Sequence, residues 1–228
     1  MYGSWSRGDA DADSDLDVMV LNFAGVETAH SGRVNVTQLG LSEVKQLSGT
    51  LFGYHLVRDG RVLYDIGGQL AAALEFVRAP GEGQVIGRVR SLTSVLDISS
   101  QDRERYIEGL TKVARYLLRS ALYAEALDQG DPCFSVREIA ARKRDPQLVA
   151  ILSSHVTVRP SASEEVLDDL KRRLEAVIGP LQPNPHGDLH GLIERTWRTN
   201  RDLSNFATLA LSEGTDELPY DELPRVTL

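Results

Sequence analysis

The chain is poor in cysteine, in aromatic residues and in long apolar runs, and each shortage closes off a class of protein. Of its 228 residues one is cysteine, Cys133, so no internal disulfide framework holds it together. A lone thiol of this kind reads as a small buried apolar residue and fits a reducing cytoplasm. No apolar stretch approaches the roughly 20 residues that cross a membrane, and the first residues lack the basic and apolar regions of a secretory signal. Cationic surplus is missing too: the formal charge is −8 and the isoelectric point is near 5.2. A protein that tracks a polyanion presents a basic face, so this balance speaks against an extended nucleic-acid footprint. The basic runs at 137–144 and 171–173 read as solvated helix faces. The remaining composition is ordinary for a globular domain, with 42% hydrophobic and 25% charged residues.

The pattern changes character about a third of the way along. Asp15 to Leu21 alternates Leu16, Val18 and Val20 against Asp15, Asp17 and Met19, which predicts a strand. Arg33 to Thr37 predicts a second strand and Leu41 to Leu47 a helix with Ser42 as its cap. Between His55 and Tyr64 the Asp59-Gly60 pair predicts a hairpin, with a helix running into a turn and one strand as the alternative. Beyond Asp65 the period is helical. Helices are expected over 69–78, 84–96, 102–129, 163–178 and 190–211, with one more that Asp145-Pro146 starts and that runs to about Ser153. Another short one opens at Ser135-Val-Arg-Glu138, a capping-box signature. The expected class is α+β: a small mixed sheet with helices over 1–68, an all-α domain over 69–212, and an acidic, proline-punctuated tail over 213–228.

Chemistry concentrates at the start. Gly3-Ser4 is followed, ten residues later, by Asp15-Leu16-Asp17. Residues two apart on a strand point to one face, so Asp15 and Asp17 converge two carboxylates, which repel unless a cation lies between them. Mg²⁺ suits such a pair, because it takes oxygen ligands and shares its octahedron with substrate phosphates. Gly3 lets backbone approach a phosphate, and Ser4 offers a hydroxyl and an amide at a helix start. The run of alternating aspartates 9, 11, 13, 15 and 17 is not an EF-hand loop, since it lacks the glycine at position six and the glutamate at twelve.

Gly3-Ser4, Arg7-Gly8 and Ser14-Asp15-Leu16-Asp17 together resemble the motif of the DNA polymerase β-like nucleotidyltransferase superfamily, most of all its minimal bacterial members. The resemblance covers about the first 65 residues. It implies an enzyme that moves a nucleoside monophosphate, AMP above all, from an Mg²⁺-bound NTP such as ATP to an acceptor hydroxyl on a small molecule or a protein. Asp15 and Asp17 would be the catalytic and metal-binding residues, and Gly3, Ser4 and Arg7 would bind nucleotide. Arg7 reads equally well as the ion-pair partner of the aspartate run.

Two departures qualify that implication. Members carry a third carboxylate on a later strand as general base, and the matching position here is Asn35, whose amide accepts no proton at neutral pH. Glu43, Asp59 and Asp65 are the alternatives. Members also carry a helix and a strand ahead of the Gly-Ser pair, so an N-terminal truncation is expected. The competing reading is a nucleotidyltransferase-fold protein that binds nucleotide or a partner protein, as in a toxin–antitoxin pair, without turnover. Arg115, Tyr116 and Arg119 are candidates to reach the nucleotide from the helical part, and His55 to lie near the acceptor. Trp197 and Tyr123 read as core or helix-interface aromatics. His186, Asp188 and His190 have a ligand-like spacing that Pro185 and Gly187 spoil. Oligomerisation is left open.

Overall fold

The computed structural model describes residues 1–12, 14–21, 27–153 and 159–212, with backbone alone for 27–31. The chain forms two compact units, divided between Gly81 and Glu82. The first is mixed α/β and the second is helical, so the α+β expectation holds at that level.

The first unit opens with a short helix, α1 (Gly3–Arg7), followed by strand β1 (Leu16–Leu21). Strands β2 (Glu27–Ser31) and β3 (Val34–Leu39) form a hairpin around Gly32, which has the positive φ of 61° that a tight turn asks of glycine. The sheet order is β1-β3-β2, with β1 parallel to β3 and β2 antiparallel to it. Strand β2 was not expected from the pattern. Helices α2 (Leu41–Gln46), α3 (Leu51–Asp59) and α4 (Gln69–Leu74) complete the unit. Its core is Tyr2, Leu39, Val44, Leu47, Phe52, Leu56 and Ala73, with Met19, Leu21, Leu41 and Leu74 packed against it.

The hairpin expected over 55–64 is instead the end of helix α3. Thr50 caps that helix by accepting from the Gly53 amide (3.0 Å), and Leu51, Phe52, His55 and Leu56 recur at helical spacing on the buried side. Gly60 takes φ −69°, outside the left-handed region that an Asp-Gly hairpin turn requires. No strand follows it among the described residues; the segment 61–65 is irregular and leads into a single 3₁₀ turn, Ile66–Gly68. Ser42 is not the cap of α2 either: Gly40 stands there, and the Ser42 hydroxyl donates to Glu43.

The second unit contains α5 (Gln84–Leu92), α6 (Ser100–Arg105), α7 (Ile107–Asp128), α8 (Val136–Lys143), α9 (Gln147–Ile151), α10 (Glu164–Ile178), α11 (Leu189–Thr196) and α12 (Arg201–Ala210). Helix α7 is its axis and packs on α10, α5 and α12. Leu110, Val113, Leu117, Leu170, Leu174 and Phe206 are fully buried there. Gly109 is needed at the α7–α12 approach, because a β-carbon would strike the Ala210 carbonyl oxygen. The capping reading at Ser135 is borne out by its bond from the Glu138 amide (3.4 Å).

Two expected long helices are broken. The 102–129 span divides at Tyr106, whose φ of −112° leaves the helical region. The 190–211 span divides over 197–200, because Asn200 accepts from the Leu203 amide (3.1 Å) and restarts the helix. Helix α4 also stops at Leu74, short of Arg78. Residues 156–158 of the expected 156–162 connector and the whole 213–228 tail lie outside the described residues.

Candidate functional site

The first unit brings the two halves of the Gly-Ser…Asp-x-Asp pattern together. The Tyr2 amide donates to the Asp17 carbonyl (3.0 Å), pinning the start of α1 to β1. Gly3 then turns through φ +74°, and the Asp17 Oδ2 atom lies well inside contact distance of the place where a β-carbon on residue 3 would stand. Both facts demand glycine: an L side chain would be strained and would collide with the carboxylate. Trp5 Nε1 donates to the Ser14 carbonyl (3.2 Å), and Arg33 Nη2 donates to the same oxygen (3.0 Å). Ser14 also closes the aspartate loop, donating through Oγ to Asp11 Oδ1 (2.8 Å) and accepting from the Asp11 amide (2.9 Å).

Asp15 lies immediately ahead of β1, and its carboxylate makes no hydrogen bond or ion pair with a described residue. The Ser4 hydroxyl is likewise without a hydrogen bond among the described residues, while the Ser4 carbonyl accepts from Gly8 (2.9 Å) and Asp9 (3.1 Å). Asn35 is the direct neighbour of Asp17 across the β1–β3 register, and its Nδ2 donates to Asp17 Oδ1 (3.1 Å). The position matched to the expected third carboxylate thus places an amide, not an acid, beside Asp17. None of the alternative carboxylates is there. Asp59 sits against Arg7 and Arg58, Asp65 accepts the Leu70 and Ala71 amides at the start of α4, and Glu43 accepts from Ser42. Among the described residues no three of His, Cys, Asp and Glu converge in a metal-holding group.

Arg7 ends α1 and is held on two sides. Its guanidinium lies 3.3 Å from Asp9 Oδ1 and 3.5 Å from Asp59 Oδ2, and Nη1 donates to His55 Nε2 (3.2 Å). That contact makes Nε2 the acceptor and leaves the imidazole neutral. Burial lowers the His55 pKa to about 3, with the positive charges of Arg7 and Arg58 acting in the same direction. His55 also meets Tyr2 edge-on, 6.0 Å between ring centroids, so it serves as a wall behind α1 rather than as a group beside an acceptor.

Within the helical unit the candidate residues are held by their own neighbours. Arg115 donates to the carbonyls of Ile151 (3.0 Å) and Pro160 (2.6 Å), and Arg119 to that of Leu152 (2.7 Å). Tyr116 is buried against Phe206, and burial drives its hydroxyl pKa above the ordinary tyrosine range. The two arginines thus anchor the end of α9 and the backbone at Pro160. Tyr123 packs on Phe134 as expected, but Trp197 is half exposed under the Arg198 guanidinium, because the helix breaks at that point. Asp188 caps α11, and His190 bonds to the Tyr106 hydroxyl (3.2 Å). Cys133 is buried, as expected of a small apolar residue.

Compared with family models, with curated proteins and with solved structures, the chain matches none. Among the described residues no helix is long and apolar enough to cross a membrane.

Proposed function

We propose that the first unit is a polymerase β-like nucleotidyltransferase domain that moves a nucleoside monophosphate, AMP above all, from an NTP to an acceptor hydroxyl on a small molecule or protein. The observation that carries this reading is the apposition of Gly3 and Asp17: a positive-φ glycine at the head of a helix, closed against a strand carboxylate. An acidic loop with no more than a solvating role would not need a glycine whose α-carbon a carboxylate oxygen approaches too closely to admit a β-carbon. The donor set fits Mg²⁺, which commonly takes one or two carboxylates and completes its shell with phosphate and water.

Asp15 and Asp17 hold the metal in this reading, and Gly3 and Ser4 approach the β- and γ-phosphates through backbone and the Ser4 hydroxyl. Bound Mg²⁺ supplies charge neutralisation at the triphosphate. The acceptor oxygen forms a bond to the α-phosphorus, the bond from that phosphorus to the bridging oxygen breaks, and pyrophosphate leaves. The acceptor proton passes to water, because Asn35 cannot take it. Arg7 keeps the head of the helix in place through Asp9, Asp59 and His55.

The Asn35–Asp17 bond favours a second reading, in which the domain binds Mg–NTP and turns it over poorly or not at all. Loss of a general base costs about 10²–10⁴-fold. Incubation with α-labelled ATP, Mg²⁺ and cell lysate decides between them. Label on a protein or small molecule that disappears in Asp17→Asn supports transfer. Calorimetric Mg–ATP binding without label supports the second reading, and neither binding nor label would sink both.

A further inference from the structure

The two aspartates of the Asp15-Leu16-Asp17 run are held in different ways. Asp17 is fixed through its own carboxylate, with the Asn35 amide on one oxygen and Gly3 against the other. The Asp15 carboxylate meets no described residue, so whatever places it acts through its backbone.

Both peptide groups that flank the Asp15 α-carbon are pinned. On the near side the Ser14 carbonyl accepts two hydrogen bonds, from Trp5 Nε1 (3.2 Å) and from Arg33 Nη2 (3.0 Å), one for each lone pair. Ser14 is also tied within the loop, through its amide and hydroxyl, to Asp11. On the far side the Leu16 amide donates to the Arg33 carbonyl (2.7 Å). A residue has two soft backbone dihedrals, and fixing the peptide planes before and after Asp15 fixes both. The direction of its Cα–Cβ bond follows.

The donors come from the two elements that carry the rest of the site. Trp5 follows Ser4 directly on α1, and Arg33 lies immediately ahead of β3, two residues before Asn35. Neither side chain belongs to the apolar core of this unit: Trp5 is 49% exposed, and Arg33 is exposed. Burial therefore does not account for where the indole sits, whereas its bond to Ser14 does.

We propose that Trp5 and Arg33 are positioning residues for Asp15, clamping the Ser14 carbonyl between α1 and β3 so that a free carboxylate stands ready beside Asp17 for a divalent cation. This rests on the metal-and-nucleotide reading of the aspartate pair. A carboxylate on an unpinned loop loses backbone freedom when it takes up an ion, and affinity falls by that amount; a stem ordered in advance avoids the loss. Because Trp5 adjoins Ser4, the same bond sets the cation side of the site against the phosphate side.

The test is titration of the full chain with Mn²⁺, a paramagnetic substitute for Mg²⁺ whose free form is read by EPR. It is made with the non-transferable α,β-methylene analogue of ATP, at a temperature where every variant is folded by circular dichroism. Trp5→Phe and Arg33→Met each remove one donor and keep the bulk, while Arg33→Lys keeps a donor. The first two should weaken Mn²⁺ binding about two- to tenfold, the worth of one hydrogen bond, and increase the fast motion of the Asp15 amide in backbone NMR relaxation. Arg33→Lys should retain more of both. The exposed Arg33 pair decides the matter alone if Trp5→Phe fails to fold. Parent-like Mn²⁺ affinity and Asp15 order in the donor-less variants overturn the proposal and leave the nucleotidyltransferase reading standing. Equal losses in Arg33→Lys and Arg33→Met also overturn it, because the donor then plays no part. A parent that binds no Mn²⁺ with the analogue, or binds it equally well after Asp15→Asn, overturns that reading and the proposal together.

Discussion

The Asn35 side-chain amide donates to Asp17 Oδ1 across 3.1 Å, in direct register between two parallel strands. An amide at that place neutralises nothing and accepts no proton, yet it orients the carboxylate by occupying one of its oxygens. The other oxygen is the one packed against Gly3. Asp17 is thus a positioned carboxylate, fixed from the sheet and from the helix start together.

Asn35→Asp replaces that donor by a second charge a few ångströms from Asp17. Two carboxylates so placed raise one another's pKa and destabilise the fold until a cation bridges them. The variant is expected to melt lower than the parent in EDTA and to recover with millimolar Mg²⁺, where the parent responds less. If Asn35 stands in for a base, label transfer from α-labelled ATP should rise by about 10²-fold or more. Equal melting of the two proteins in EDTA and in Mg²⁺ would refute the placement.

Gly3→Ala meets two obstacles at once. The left-handed backbone costs an L residue about 1–2 kcal/mol, and the new methyl group must displace the Asp17 carboxylate. Denaturant unfolding should show a loss of that order or larger, with Mg–ATP binding reduced beyond what the lost stability explains. Gly8→Ala is the control, since Gly8 shares a positive φ but has nothing within reach of a β-carbon. Similar effects on nucleotide binding from both variants would mean that backbone strain alone matters.

His55 makes stability depend on pH in a defined window. Its folded pKa is lowered to about 3 from the ordinary 6.5, so between those values the unfolded chain binds a proton that the folded chain does not. Its contribution is complete above pH 6.5, declines as pH falls, and is gone near pH 3. Within the window the slope is about 1.4 kcal/mol per pH unit for this one group. His55→Gln should flatten the stability profile between about pH 4 and 6 relative to the parent, as read by urea midpoints. An unchanged slope would place the proton elsewhere.

Much of the fold follows local rules and was legible in the residues. Ser135, four apolar positions in register on α10, and the strand over Leu16 to Leu21 each act within a turn or a strand, where local spacing decides the outcome. The strand nevertheless turns Met19 and Leu21 to the core and leaves Val20 exposed. The errors fall where neighbours decide. Asp59-Gly60 has the composition of a hairpin turn, but Thr50 starts a helix whose buried side includes His55 and Leu56, and packing outweighs the turn preference. Tyr106 and Asn200 interrupt helices that periodicity alone would run on. Arg115 and Arg119 look like ligand-facing cations in the sequence, yet the carbonyls that hold them come from 33 to 45 residues away.

For the site, the sequence by itself determined the chemistry available: two aspartates one residue apart, a Gly-Ser pair at a fixed offset, and an asparagine where a third acid was sought. It could do so because residue type and strand periodicity are local. Only the tertiary structure decided that Gly3 closes on Asp17 and that Asn35 rather than Glu43, Asp59 or Asp65 stands beside it. Those relations depend on which strands pair and in what register, and pairing is a property of segments distant in the chain, set by the burial of faces that no single segment encodes.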